Sequence, residues 1–159
     1  MAERDPITEA LKDVTYPLVV IGSKSATGEP NGMTATWAFQ VSFEPRVFAV
    51  TIQEDVHTRK NIDATGVFSV SILPEGAHDL SLKFTRKSTS GEGRLEDEPV
   101  TYHETGAPVL DIATAWIECK VVSQSHPGDH VIFFGEVIGG GKQEGTPTTV
   151  GTEGMSYAG

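Results

Sequence analysis

One cysteine, Cys119, is present in 159 residues, so an internal disulfide is impossible and no cysteine pair can build a zinc ribbon or a dithiol redox centre. That usage fits a reducing cytoplasm, the expected location. No run approaches the roughly 20 apolar residues that span a bilayer, and the amino terminus, MAERDPITEALKD, is too charged for the apolar part of a signal peptide. A soluble, untargeted protein without a membrane partner is expected. Positive charge is scarce as well: 12 Lys+Arg stand against 22 Asp+Glu, a net charge of −10, and such a surface repels phosphate backbones, so no nucleic-acid partner is expected. The sequence also lacks GxGxxG, GxxxxGK[ST] and GxSxG, which excludes a Rossmann enzyme and removes the usual support for a phosphate loop or a nucleophile elbow. The five histidines are scattered, and Pro127 and Gly128 separate His126 from His130, so these two cannot share a helical face and no metal site is expected.

What is present is β-like. Short β-branched and aromatic runs are bounded by Gly, Pro, Asn and Asp: 16–22, a run starting at Met33, 47–53, 67–73, 112–124 and 130–138. Both faces of 47–53 are apolar enough to be covered, whereas in 67–73 Phe68, Val70 and Ile72 oppose Val67, Ser69 and Ser71, which predicts a half-buried strand. The Pro127-Gly128 turn predicts that the last two runs pair antiparallel. Helical signals are short: Thr8–Asp13, a helix N-capped by Thr58 and ended by Gly66, and Ala77–Phe84. About six strands with inserted helices predict a mainly β fold, an antiparallel barrel closed or nearly closed, because closure removes exposed edges. The polar stretch between Thr85 and Pro108 reads as a long surface excursion. Residues 1–138 form the expected domain, and 139–159, rich in Gly and Thr, read as a flexible tail or an arm ordering against a second subunit. Cys119 alternates with Ala115, Ile117 and Val121 and reads as a buried hydrophobe rather than a nucleophile. Trp116 reads as a core aromatic.

The segment Asn31-Gly-Met-Thr-Ala-Thr-Trp37, continuing AFQVSFEP to Pro45, carries the most information. Together with the YP strand at Tyr16, Thr58-x-x-Asn61-Ile62, GVFSVSIL, the helix ending in Phe84, Gly106-x-Pro-x-Leu110, WIECKV and Gly128-Asp129-His130, it resembles the flavin reductase-like family, whose members have an FMN-binding split β-barrel. The matching segments run in order over residues 10 to 138. The resemblance implies flavin-ring contacts at Met33, Thr34, Ala35, Thr36 and Trp37. It implies phosphate and ribityl contacts at Ser42, Gln53, Glu54, His57, Thr58 and Asn61, adds Phe84 to the cofactor set, and places His130 on the substrate side, positioning or supplying a proton. Physically, small residues let backbone N–H groups approach a ring whose reduction builds negative charge near N1, and a helix start near Thr58 suits an anion.

The implied function is hydride transfer from NAD(P)H to flavin, with FMN as cofactor and FAD possible, in a homodimer that could serve a partner monooxygenase. A non-catalytic FMN electron carrier, or a barrel holding deazaflavin or haem, are the alternatives. The chain departs from the family after Gly139, where only Tyr157 resembles the aromatic ending of its relatives.

Overall fold

The structure, a computed structural model, describes residues 4–158. Three short helices, α1 (Pro6–Leu11), α2 (His57–Thr65) and α3 (His78–Leu82), accompany eleven strands. Seven of these, β1 (Val19–Lys24), β2 (Pro30–Ala35), β3 (Ala38–Ser42), β4 (Val47–Gln53), β5 (Val67–Ile72), β10 (Ala115–Ser125) and β11 (His130–Lys142), form one sheet in the order β2-β1-β5-β10-β11-β4-β3. Every neighbouring pair is antiparallel. The mainly β architecture and the Pro-Gly hairpin between the last two long strands are as the sequence predicts.

Closure of the barrel is not. The outer strands β2 and β3 are consecutive in the chain, so Thr36 and Trp37 carry the backbone from one edge of the sheet to the other, yet no ladder joins those edges among the described residues. Each edge is satisfied elsewhere. On β2, the Thr34 N–H donates to Phe84 O at 2.9 Å. The Ser88 hydroxyl donates to Gly32 O at 2.9 Å and accepts from Gly32 N at 3.0 Å, standing in for a missing strand. On the other side, Thr51 N donates to Trp37 O at 2.9 Å. The gap between the edges is where a cavity opens.

The excursion after Thr85 is ordered rather than loose. It forms a second sheet of β6 (Ser90–Gly91), β7 (Arg94–Leu95), β8 (Glu98–Tyr102) and β9 (Pro108–Leu110). Leu95, Val100 and Leu110 insert into a core with Leu18, Val20, Phe84 and Val150. The other core lies on the opposite face of β1 and gathers Val19, Ile21, Val50, Ile52, Ile62, Phe68, Val70, Cys119 and Phe133. Strand β1 is therefore buried on both faces by alternation. The same packing corrects the half-buried reading of β5. Ser69 and Ser71 are fully buried because β9 lies on them, with Ser69 Oγ donating to Pro108 O at 2.6 Å and Leu110 N donating to Ser71 Oγ at 3.0 Å.

The carboxyl-terminal segment packs on its own chain. Gly139–Lys142 belong to β11, where a side chain on Gly141 would meet the Trp116 indole. Trp116 is thus no core residue; it lies half-exposed and stacks on His103 with centroids 3.9 Å apart at 9°. Farther on, Pro147 and Thr149 bridge Pro74 and Pro17, and Val150 is buried. Glu153 clamps this return, accepting from Gly76 N at 2.8 Å and from Thr148 Oγ1 at 2.5 Å. The Thr148 hydroxyl first and the Gly76 amide second hold its carboxyl below the ordinary 4.5. A carboxyl lowered on folding contributes stability above its unfolded pKa and loses it as the pH falls through the folded value. Acidification below about pH 4 is therefore expected to loosen residues 147–157 before the sheets unfold, and limited proteolysis across a pH series checks this.

Cys119 is fully buried, and burial first, then the Glu118 charge, pushes its thiol up to about 12. Since the thiolate is the reactive form, an aromatic disulfide reagent at pH 8 is expected to leave the native thiol unmodified and to titrate one thiol after urea unfolding.

Candidate functional site

A cavity of about 280 Å³ lies in the gap between the sheet edges. Its floor is the run Met33–Trp37 that crosses from β2 to β3, its side wall is Thr51, Ile52, Gln53 and Val56 at the end of β4, and Thr85 closes one corner. His130, the first residue of β11, faces it because the register sets His130 opposite Gln53. The remaining wall is the returning carboxyl terminus: Val150, Met155, Ser156 and Tyr157.

At the mouth three rings meet. The Trp37 indole centroid lies 4.8 Å from His130 and 4.8 Å from Tyr157, the latter edge-on at 62°, a geometry that aromatic quadrupoles favour. His130 is held from both sides, with Nδ1 at 2.6 Å from Asp129 Oδ1 and Nε2 at 2.9 Å from Tyr157 Oη. The hydrogen bond to His130, then its charge, keeps the Asp129 carboxyl below its ordinary value. Burial raises the Tyr157 phenol, a hydrogen bond from Gln53 lowers it, and the Asp129 charge raises it again.

Two buried polar atoms have no hydrogen-bond partner among the described residues and belong to the cavity floor: Thr36 Oγ1 and Trp37 Nε1. Buried polar groups are nearly always paired, and these two adjacent atoms, on residues that line the cavity, are not.

Seven of the sequence-predicted residues are brought together here, Met33, Thr34, Ala35, Thr36, Trp37, Gln53 and His130. The other six lie outside the cavity wall. Helix α2 begins two residues earlier than expected with Val56 as its N-cap, so Thr58 is no cap; it is buried and accepts from Asn31 Nδ2 at 3.3 Å. Asn61 is buried and donates to Ser23 Oγ at 3.1 Å. His57 opens α2, Ser42 ends β3, and Glu54 pairs with His126 at 2.8 Å in solvent. Phe84 is wholly buried in the second core. Thr51, Ile52, Val56, Thr85 and the wall from Val150 to Tyr157 are not among the predicted site residues, since a polar Gly/Thr-rich ending carries no periodic signal; the sequence marks Tyr157 only as resembling the family's aromatic ending.

The flavin reductase like domain model matches residues 11–155. The chain belongs to this family. Among curated relatives, the actinorhodin polyketide dimerase of Streptomyces coelicolor is 32% identical over 136 residues, covering 86% of this chain and 75% of that protein. The flavin reductase (NADH) of Kitasatospora aureofaciens is 30% identical over 142 residues, 89% of this chain and 73% of the relative. Among solved structures, the NADH:FAD oxidoreductase SgcE6 of Streptomyces globisporus, in complex with NAD and FAD fragments, superposes with a TM-score of 0.75 at 26% identity, covering 89% of this chain and 87% of that one. The flavin reductase-like chain spans 23% of a much longer relative, a putative diflavin flavoprotein of Nostoc.

Proposed function

We propose that this chain is a flavin reductase that binds FMN, with FAD also admitted, in the cavity between the sheet edges, and passes hydride to it from NADH or NADPH. The observation that carries this reading is the pair of orphaned atoms, Thr36 Oγ1 and Trp37 Nε1, on the floor of a cavity built by a family member's β2–β3 crossing. The residues fit the group. An isoalloxazine edge is rich in acceptors, and the floor offers a hydroxyl and an indole N–H, with Thr34 and Ala35 small enough for the ring to approach the backbone. A bound flavin supplies the acceptor for hydride from a dihydronicotinamide.

The chain's own groups do the rest. Thr36 and Trp37 would hold the edge of a bound ring by hydrogen bonds to its acceptors. Ile52, Val56, Val150 and Met155 exclude water, and His130, fixed by Asp129, stands at the mouth to position the incoming donor. The net charge of −10 gives an anionic cofactor no long-range help, so capture relies on these local donors, with Arg86 and Lys87 following Thr85 in the chain. A homodimer is part of the reading: Phe39, Val41 and Phe43 are exposed along the open edge strand β3 and its end, which suits burial against a second copy. Reduced flavin leaving the site would serve a partner monooxygenase.

Titration with FMN and FAD is expected to quench flavin fluorescence, and anaerobic mixing of the loaded protein with NADH or NADPH to bleach the flavin band. No change in flavin absorbance or fluorescence overturns the cofactor assignment. A bound flavin that neither nucleotide bleaches makes the protein a carrier instead. Light scattering on the purified protein tests the dimer.

A further inference from the structure

Two walls of the cavity have opposite hydrogen-bonding polarity. The floor carries the Trp37 indole N–H, which can only donate, and the Thr36 hydroxyl, which is free to donate as well. The wall beside it presents Tyr157, and the polarity of its hydroxyl follows from the chain of contacts behind it. Asp129 is solvent-exposed, and its carboxyl is held below the ordinary carboxylate range, so near neutral pH it is ionised and can only accept. Its partner, His130 Nδ1 at 2.6 Å, therefore carries a hydrogen. In the neutral imidazole this leaves Nε2 bare. The contact of 2.9 Å between Nε2 and Tyr157 Oη then has one hydrogen to use, the phenol's own, and burial keeps that phenol protonated. The Tyr157 hydrogen is committed to His130. What Tyr157 offers the cavity is its oxygen, an acceptor.

The placement of Tyr157 is also specific. The Val150 N–H is tied to Tyr16 O at 3.0 Å and the Met155 N–H to Val150 O at 2.9 Å, so the return is rooted in the core two residues before the ring. The ring itself stands on Trp37, beside the floor that takes the flavin edge. In the flavin reductase reading, on which this inference rests, the second ligand is a dihydronicotinamide. Its carboxamide –NH2 is a strong donor, whereas the flavin edge is mostly acceptor.

We propose that Tyr157 is a specificity-determining residue whose phenolic oxygen accepts a hydrogen bond from the carboxamide –NH2 of the nicotinamide, with Asp129 and His130 as positioning residues that fix its polarity. The site thereby reads the amide and disfavours a nicotinamide analogue that lacks those hydrogens, since a site built to pair a polar group loses most when that group is missing.

The test compares Tyr157→Phe with the wild type on two donors, NADH and the reduced 3-acetylpyridine analogue, in which a methyl group replaces the amide –NH2. Differences in donor potential cancel between the proteins. The variant is expected to raise KM for NADH about tenfold more than KM for the acetyl analogue, whereas any effect of loosening His130 falls on both donors by the same factor in KM and in kcat. Binding without turnover is read from Trp37 fluorescence in a Trp116→Phe background, titrating NAD+ against oxidised acetylpyridine dinucleotide; the preference for the amide should disappear in the Tyr157→Phe protein. Nitrogen NMR of the flavin-free protein is expected to show His130 protonated on Nδ1 and bare on Nε2. Equal losses for both donors, no loss for either, or a hydrogen on Nε2 overturns the proposal. A wild type that binds no flavin defeats the flavin reductase reading instead, while the dinucleotide titration and the tautomer, both read on flavin-free protein, still decide the role of Tyr157.

Discussion

Alanine at position 22 is expected to abolish the native fold or to destabilise it by at least about 3 kcal/mol, the upper end of what overpacking costs. Gly22 lies in the middle of β1, paired to Gly32 on one side and Ser69 on the other. A Cβ there would be driven directly onto Pro108 O and Ser69 Oγ. These two atoms are themselves joined at 2.6 Å, so the methyl would enter the hydrogen bond that fastens β9 and the second sheet to β5. One of them is backbone and cannot swing away. Against a total stability of roughly 5–15 kcal/mol, that loss removes a large share of the folded population. Gly128→Ala is the control, because an added Cβ there meets nothing within 4 Å, and it should change stability by no more than about 0.5 kcal/mol. Urea denaturation of the three proteins gives the comparison; a Gly22→Ala midpoint equal to the wild type would show that β9 does not bear on β1 as described.

Where the sequence was legible, the reason was local. Strands of the main sheet carry alternation long enough to see, and the hairpin between β10 and β11 carries a Pro-Gly turn. Gly66 ends α2 in the left-handed region at φ 69°, as a terminal glycine should. The run 33–37, which the family resemblance singled out, lines the floor of the cavity. What could not be read depends on distant partners. Ser69 and Ser71 look like a solvent face until β9, some forty residues on, supplies their hydrogen bonds. Strands of two residues such as Ser90–Gly91 and Arg94–Leu95 have no period to detect. The family resemblance names Thr58 and Asn61 as ligand groups, and a helix start favours an anion at Thr58, but Asn31 and Ser23 use these side chains inside the chain. The Gly139–Gly141 run looks like a flexible tail, although its lack of side chains is what lets Trp116 lie across β11.

The second large effect concerns Trp37. Truncation to alanine is expected to weaken flavin binding by about a hundredfold or more, close to 3 kcal/mol. Two separate losses combine. The indole is the wall on which His130 and Tyr157 rest, at 4.8 Å each, with Tyr16 behind it at 6.2 Å, and an aromatic contact of this kind contributes about 0.5–1.5 kcal/mol beyond its buried area. Its Nε1–H is one of the two orphaned donors of the floor, and a hydrogen bond lost to a bound acceptor costs about 1–3 kcal/mol. Trp37→Phe separates the terms: it keeps a ring for Tyr157 to stand on and removes the donor, so affinity should fall about tenfold rather than a hundredfold. Thr36→Val, which deletes the other orphan at nearly constant volume, should match it. Flavin fluorescence titrations measure all three, and thermal melts confirm that each variant is folded. The order wild type, then Trp37→Phe and Thr36→Val, then Trp37→Ala follows only if the flavin edge lies on the β2–β3 crossing. A Trp37→Ala protein that binds flavin within threefold of the wild type would place the ring elsewhere, and with it the reading of the gap between the sheet edges as the flavin site would fall.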